Sequence, residues 1–119
     1  MIKLIALLKR APQLSREEFQ ARWLLEHTQL SSLLPGCREY RINLCLETQP
    51  DGAAEPIYDG TAELWWDSLE AMQACFESET AQIAGADADS FCEIRIHLVT
   101  REFLVVKNGA PVQPPQEIL

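Results

Sequence analysis

The chain has little of what usually announces chemistry. Its 119 residues include only two histidines, His27 and His97, far apart and in no H-x-H or H-E-x-x-H pair. A metal site needs several such ligands in register, so no ligand cluster is offered and no metal is expected. The four cysteines, Cys37, Cys45, Cys75 and Cys92, are widely and unevenly spaced. Without a C-x-x-C they do not read as a zinc ribbon or a thioredoxin-type site. In a reducing compartment they read as free thiols, mostly buried as small hydrophobes. The five glycines form no phosphate-cradling run, and there is no G-x-S-x-G, which argues against nucleotide cofactors and acyl-enzyme chemistry. Basic residues are outnumbered, 10 against 18, for a net charge of −8. That balance disfavours nucleic acid and anionic membranes as partners. No apolar run approaches the roughly 18 residues of a membrane helix. The opening MIKLIALLKR has an apolar core of Leu4 to Leu8 only, with no small-residue cleavage site, so it does not read as a secretory segment. The expected address is the cytoplasm.

What is present is material for a core. The chain is 47% hydrophobic, and its length suits one domain. Residues 2–9 read as a strand apolar on both faces, which needs cover on both sides. Ser15-Arg16-Glu17-Glu18 is a capping box, with Leu14 and Phe19 as its hydrophobic staple. Phe19, Trp23, His27, Leu30 and Leu34 then follow at steps of 4, 4, 3 and 4, one helical face, and Pro35-Gly36 ends the helix. Residues 37–48 read as a strand, with Tyr40, Ile42, Leu44 and Leu46 on one face and Arg41, Asn43, Cys45 and Glu47 on the other. Residues 48–56 read as a turn-rich loop, and 57–66 as a third strand in which Gly60 marks a bulge or a close backbone approach. Asp67 or Ser68 caps a helix from Leu69 to about Glu77. A second helical piece spans about 79–85, the acidic GADADS of 85–90 reads as a loop, and 93–106 reads as the last strand. The domain is expected over 1–106, followed by a Pro-rich tail, 107–119, that is extended or poorly ordered. The order β-α-β-β-α-β predicts an α+β fold, the ferredoxin-like antiparallel sheet with helices on one face. The other face also carries apolar residues. A second copy of the sheet is the simplest cover, so a homodimer closing a barrel is expected.

Two stretches resemble a known family. They are the spacing of Phe19, Trp23 and His27 with Pro35-Gly36, Tyr40 and Asn43, and DGTAELWWDSLEAMQA at 59–74. Together they resemble the EthD family of the dimeric α+β barrel superfamily, over residues 1–106. The resemblance implies a dimeric α+β barrel with a cleft between sheet and helices for a small, largely apolar ring compound. The superfamily includes lactone isomerases, polyketide cyclases, cofactor-free monooxygenases and haem-degrading enzymes. In the haem-degrading enzymes the ligand histidine usually lies on the second helical region, and this chain has none there. A family histidine on the first helix falls on His27.

His27 is therefore the candidate catalytic residue. An imidazole buried beside Trp23 is neutral at pH 7, with one nitrogen free to accept a proton; the bland alternative is a core histidine held by a hydrogen bond. Trp23, Tyr40, Asn43 and Trp65 are candidate substrate-binding residues. Tyr40 and Asn43 stand three apart on one strand and reach one pocket only if a bulge intervenes. Trp65 and Trp66 point to opposite faces. Asp59 and Glu63 are costly to bury unpaired; Arg41, Arg95 or Arg101 are their candidate partners. His97 is a second base or an interface residue. The expectation is an enzyme without metal or organic cofactor, working on a small aromatic, lactone or polyketide-like compound by isomerisation, cyclisation or oxygenation. The alternative is a binding or accessory protein using the same pocket for a hydrophobic compound.

Overall fold

The computed structural model describes residues 1–50, 52 and 55–119. Strand β1 (Ile2–Arg10) sits inside a four-stranded antiparallel sheet of order β2-β3-β1-β4. Its neighbours are β3 (Gly60–Trp66) and β4 (Cys92–Thr100), and β2 (Glu39–Leu44) lies beyond β3. Leu4, Ala6 and Leu8 are buried under the helices, while Ile5 and Leu7 face the other side. This is the ferredoxin-like arrangement that the element order predicts.

The first helical region forms as its capping box dictates. The Ser15 hydroxyl accepts from the Glu18 amide at 3.1 Å, and the Glu18 carboxylate accepts from the Ser15 amide at 2.9 Å. The region has three parts: α1 (Arg16–Ala21), a π-helical segment (Arg22–His27) and α2 (Thr28–Ser31). The π segment follows from the spacing of the buried residues. Phe19, Trp23, His27 and Ser31 are all buried and all four apart. On an α-helix each step of four drifts by about 40°, so this set would spread over about 120°. The wider π turns absorb the drift and keep the four on one side. Ser31 thus takes the inner position expected of Leu30, which is only partly buried.

The second helical layer is α3 (Leu69–Phe76), capped by Ser68, and α4 (Glu79–Phe91), capped by Ser78. The GADADS segment read as a loop is helix, the second half of α4. Gly85 and the polar Asp/Ser content suggest a loop, but Ala84, Ala88 and Phe91 fall on one buried helical face, and their packing overrides local propensity. The strands are also shorter than expected: β2 stops at Leu44 and β3 begins at Gly60. The loop expected at 48–56 lies partly outside the described residues. The last strand breaks after Thr100; β5 (Phe103–Lys107) pairs with β6 (Ala110–Glu117) in a separate hairpin that straddles the expected boundary at 106/107. The radius of gyration, 15.8 Å, exceeds the roughly 13.5 Å of a compact chain of this length, as a projecting hairpin requires. Among the described residues no helix is long and apolar enough to cross a membrane.

Gly60 is a close backbone approach, not a bulge: β3 starts at it, and the register with both neighbours is unbroken from Gly60 onward. A Cβ there would meet the Trp23 ring at 2.5 Å and the Asn43 carbonyl at 2.6 Å. Gly60→Ala is therefore expected to lower unfolding stability by about 1–3 kcal/mol in chemical denaturation, the cost of overpacking. An unchanged midpoint would show that Trp23 can move aside freely.

Candidate functional site

The inner ends of the two helical layers meet over the sheet at Asp87. The His27 ring nitrogen Nδ1 lies 2.8 Å from Asp87 Oδ2, and Arg22 Nη1 donates to the same oxygen at 3.2 Å. Arg22 Nη2 donates to Oδ1. The wider turn of the π segment brings residues five apart much closer in angle than the roughly 140° that separates them on an α-helix, and Arg22 and His27 reach one carboxylate. On an α-helix they would diverge. The Arg22 guanidinium holds the Asp87 carboxyl below the usual carboxylate range, with His27 adding to the effect. An ionised carboxylate only accepts, so His27 carries its proton on Nδ1 when neutral.

His27 is 7% exposed, and its ring meets Phe91 edge-on at 5.2 Å. Burial pulls its pKa below the ordinary 6.5; Asp87 opposes this, while Arg22 and Arg95 reinforce it. Asp87's charge is largely matched by Arg22, so desolvation prevails and the imidazole is neutral at pH 7. Nε2 has no hydrogen-bond partner among the described residues and is not sealed off as an orphaned buried atom. His27 lines a cavity of about 240 Å³ between helices and sheet. The floor is Leu4, Ala6, Leu8, Ala62 and Leu64; Trp23, Tyr40, Phe76, Arg95 and His97 are among the residues of the walls.

The expected site residues divide between the two faces of the sheet. Trp23 and Tyr40 line the cavity with His27. The Tyr40 hydroxyl accepts from Ser31 Oγ at 3.1 Å, and burial raises its pKa. Asn43 and Trp65 are not brought to this cavity. Register pairs Tyr40 with Leu64 but Asn43 with Thr61 and Glu39 with Trp65, without a bulge, so alternation sends them to the outer face. There Asn43 donates to Thr61 and Glu63 at 3.0 and 2.9 Å. Trp65 Nε1 donates to Glu102 at 2.9 Å, with Lys3 and Arg41 over its ring. Trp66 points inward and joins the core. The carboxylates find other partners than expected. Asp59 faces Arg10 and Arg16, Glu63 faces Lys3, and Arg41, Arg95 and Arg101 pair with Glu39, Asp89 and Glu117.

His97 is on the inner face, opposite Ala6, which puts it at the cavity and not on the sheet's outer surface. Asp87 and Arg22 escape sequence reasoning altogether. The spacing of Ala84, Ala88 and Phe91 signals the helix that carries Asp87; no α-helical rule pairs residues 22 and 27. Burial raises the pKa of Cys37, Cys45 and Cys75 and pushes Cys92 up to about 12, which disfavours the thiolate.

These features define a class: a ferredoxin-like α+β protein with an apolar cavity under its helices and a carboxylate-oriented histidine in the cavity wall. The model of the EthD domain matches residues 11–94. The chain belongs to the EthD family. Among solved structures it is similar to an EthD family protein of Bacillus halodurans, at 24% identity over 86% of this chain and 98% of that one, with a TM-score of 0.74. A dimeric ferredoxin-like protein from Thermobifida fusca is similar at 16% identity, covering 83% and 88%, TM-score 0.64. SnoaB of Streptomyces nogalater, a cofactor-independent oxygenase, is similar at 8% identity, covering 83% and 89%, TM-score 0.60. No curated protein matches the sequence.

Two outcomes follow from the His27 environment. Its titration by NMR is expected below 6.5, and lower still in Asp87→Asn, which removes the main influence that favours the imidazolium. The folded state binds this proton less readily than the unfolded chain. Stability with respect to His27 is thus complete above pH 6.5 and declines as pH falls from 6.5 through the folded value. A His27 pKa above 6.5 would mean that Asp87, not burial, dominates.

Proposed function

We propose that the protein is a cofactor-independent enzyme that transfers a proton on a small, mostly apolar ring compound, with His27 as the accepting group. The observation that carries this reading is a cavity-lining imidazole whose Nε2 has no hydrogen-bond partner among the described residues and whose other nitrogen is bound to an ionised carboxylate. Asp87 fixes the tautomer and stabilises the imidazolium once the proton arrives. Aromatic, lactone and small polyketide-like compounds fit the apolar floor, and isomerisation, cyclisation and oxygenation can each begin with such a step. The fold shared with a cofactor-independent oxygenase supports the reading. A volume of about 240 Å³ exceeds the roughly 150 Å³ that accepts benzene and favours one or two rings over larger substrates. Trp23 and Tyr40 are the proposed walls of the substrate site.

The working form is proposed to be a homodimer with sheet facing sheet. On the outer face Ile94, Ile96 and Leu98 are 41%, 37% and 47% exposed, beside Ile5 and Leu7 of β1, an apolar strip that water disfavours. Four free thiols suit the reducing cytoplasm as its place of work.

In a screen of monocyclic and bicyclic carbonyl compounds, His27→Ala is expected to reduce turnover by about 10²–10⁴-fold while ligand binding persists. Binding without turnover in either protein would point to a carrier and overturn the enzyme reading. Sedimentation of the wild type at micromolar concentration is expected to give a dimer, and Leu98→Glu a monomer; a monomeric wild type would refute the sheet-to-sheet assembly.

A further inference from the structure

The cavity contains a second imidazole whose hydrogen bond runs the opposite way. His97 Nε2 lies 3.3 Å from Arg95 Nη1. A guanidinium is always protonated and can only donate. Nε2 is therefore the acceptor, and the neutral ring carries its proton on Nδ1. Arg95 is itself held from α4: its Nε and Nη2 donate to Asp89 Oδ1 at 3.2 and 2.9 Å, and Nη2 to the Gly85 carbonyl at 3.3 Å. Nη1 is the arm left for His97. The His97 ring stacks on Phe76, centroids 6.3 Å apart and 20° from parallel, which fixes its plane.

The groups that face His97 agree with a neutral ring. Arg95 is the charge on its own strand that contacts it, Asp89 on α4 is engaged by Arg95, and Ala6 of β1 and Phe76 of α3 are apolar. Arg22 and Asp87 across the cavity pair with each other. His97 remains exposed at the edge of this space; partial desolvation, then Arg95, lowers its pKa.

We propose that His97 is a second catalytic residue of this cavity, its Nδ1–H donating to a substrate carbonyl oxygen, with Arg95 as the positioning residue that fixes the tautomer. The two histidines carry their protons on the same ring atom but offer opposite ends: His27 a lone pair, His97 an N–H. That combination fits an enolisable cyclic carbonyl compound. His27 Nε2 takes a proton from the carbon next to the carbonyl. The C–H pair becomes a C=C bond and the C=O π pair moves to oxygen, which accepts from His97. His27 returns the proton to another carbon as the oxygen re-forms its carbonyl. No electrons leave and no co-reactant is needed, so the class is prototropic isomerisation. This rests on the reading of His27 as the base.

The test follows conversion of 3-cyclohexen-1-one to 2-cyclohexen-1-one by proton NMR in deuterated water, with the full chain. The wild type is expected to accelerate both isomerisation and exchange beside the carbonyl. His97→Phe, which keeps a ring on Phe76, is expected to lower kcat about 10²-fold with little change in KM. His97→Gln, which keeps an N–H, is expected to recover part of that loss. Nitrogen-15 NMR of the wild type is expected to show His97 protonated on Nδ1, and Arg95→Met to release it to a tautomer mixture. A wild-type His97 protonated on Nε2, or full activity in His97→Phe while His27→Ala is inactive, overturns the role of His97 and leaves His27 standing. Full activity in His27→Ala overturns the base on which both readings rest. Bound probe with no exchange in the wild type overturns the prototropic class.

Discussion

The Asp87 carboxylate is shared between the Arg22 guanidinium and the His27 ring, and through it the first helical region is tied to α4 above the sheet. A carboxylate in a partly buried place is costly unless paired and hydrogen-bonded. Arg22 supplies the countercharge and His27 the remaining donor. The π segment favours the arrangement by turning residues 22 and 27 toward one side. The position of His27, its neutrality and the direction of its lone pair all derive from this one shared carboxylate.

The cavity below it is a consequence of residue size. Trp23 and Phe91 fill one side of the inter-layer space, with Trp23 seated on the bare backbone at Gly60. On the other side Ala6, Ala62, Ala84 and Ala88 leave room. Large residues against small ones prop the helices off the sheet without collapse. The apolar floor keeps the local dielectric low, which strengthens every polar contact made there. Polar groups enter at the wall: the paired hydroxyls of Ser31 and Tyr40, His27 from the π segment, and Arg95 with His97 from β4. His27 and Arg95 are each held by an acid on α4. Asp87 and Asp89, two residues apart on one helix, thus serve opposite sides of the same space.

The sheet separates two kinds of chemistry. Its inner face is the cavity. Its outer face combines an apolar strip on β1 and β4 with a charged cluster, Lys3 between Glu63 and Glu102, next to the Trp65 ring on which Lys3 and Arg41 lie. Because a strand alternates its side chains, a residue's face is decided by parity alone. That rule moves Asn43 and Trp65 away from His27, although they stand near Tyr40 and Trp66 in sequence.

Local signals in the chain determined a good deal by themselves. The capping box, the apolar stripe through Trp23 and His27, the alternation in the strands and the element order specify the ferredoxin-like fold, because each depends on neighbours within a few residues. They also single out His27, an imidazole on an apolar face. The rest was decided by tertiary structure. Whether 85–90 is loop or helix depends on burial of Ala84, Ala88 and Phe91, which outweighs the loop-like composition. The π segment depends on keeping four residues against one sheet, and no α-helical spacing rule foresees it. The partner of His27 therefore lies sixty residues away, on a segment whose local composition argued for a loop. Face assignment of Tyr40, Asn43 and Trp65 needed strand register, and the orientation of His97 needed Arg95 anchored from another element. Proton positions on both histidines are set by donors and acceptors that only the fold brings within reach.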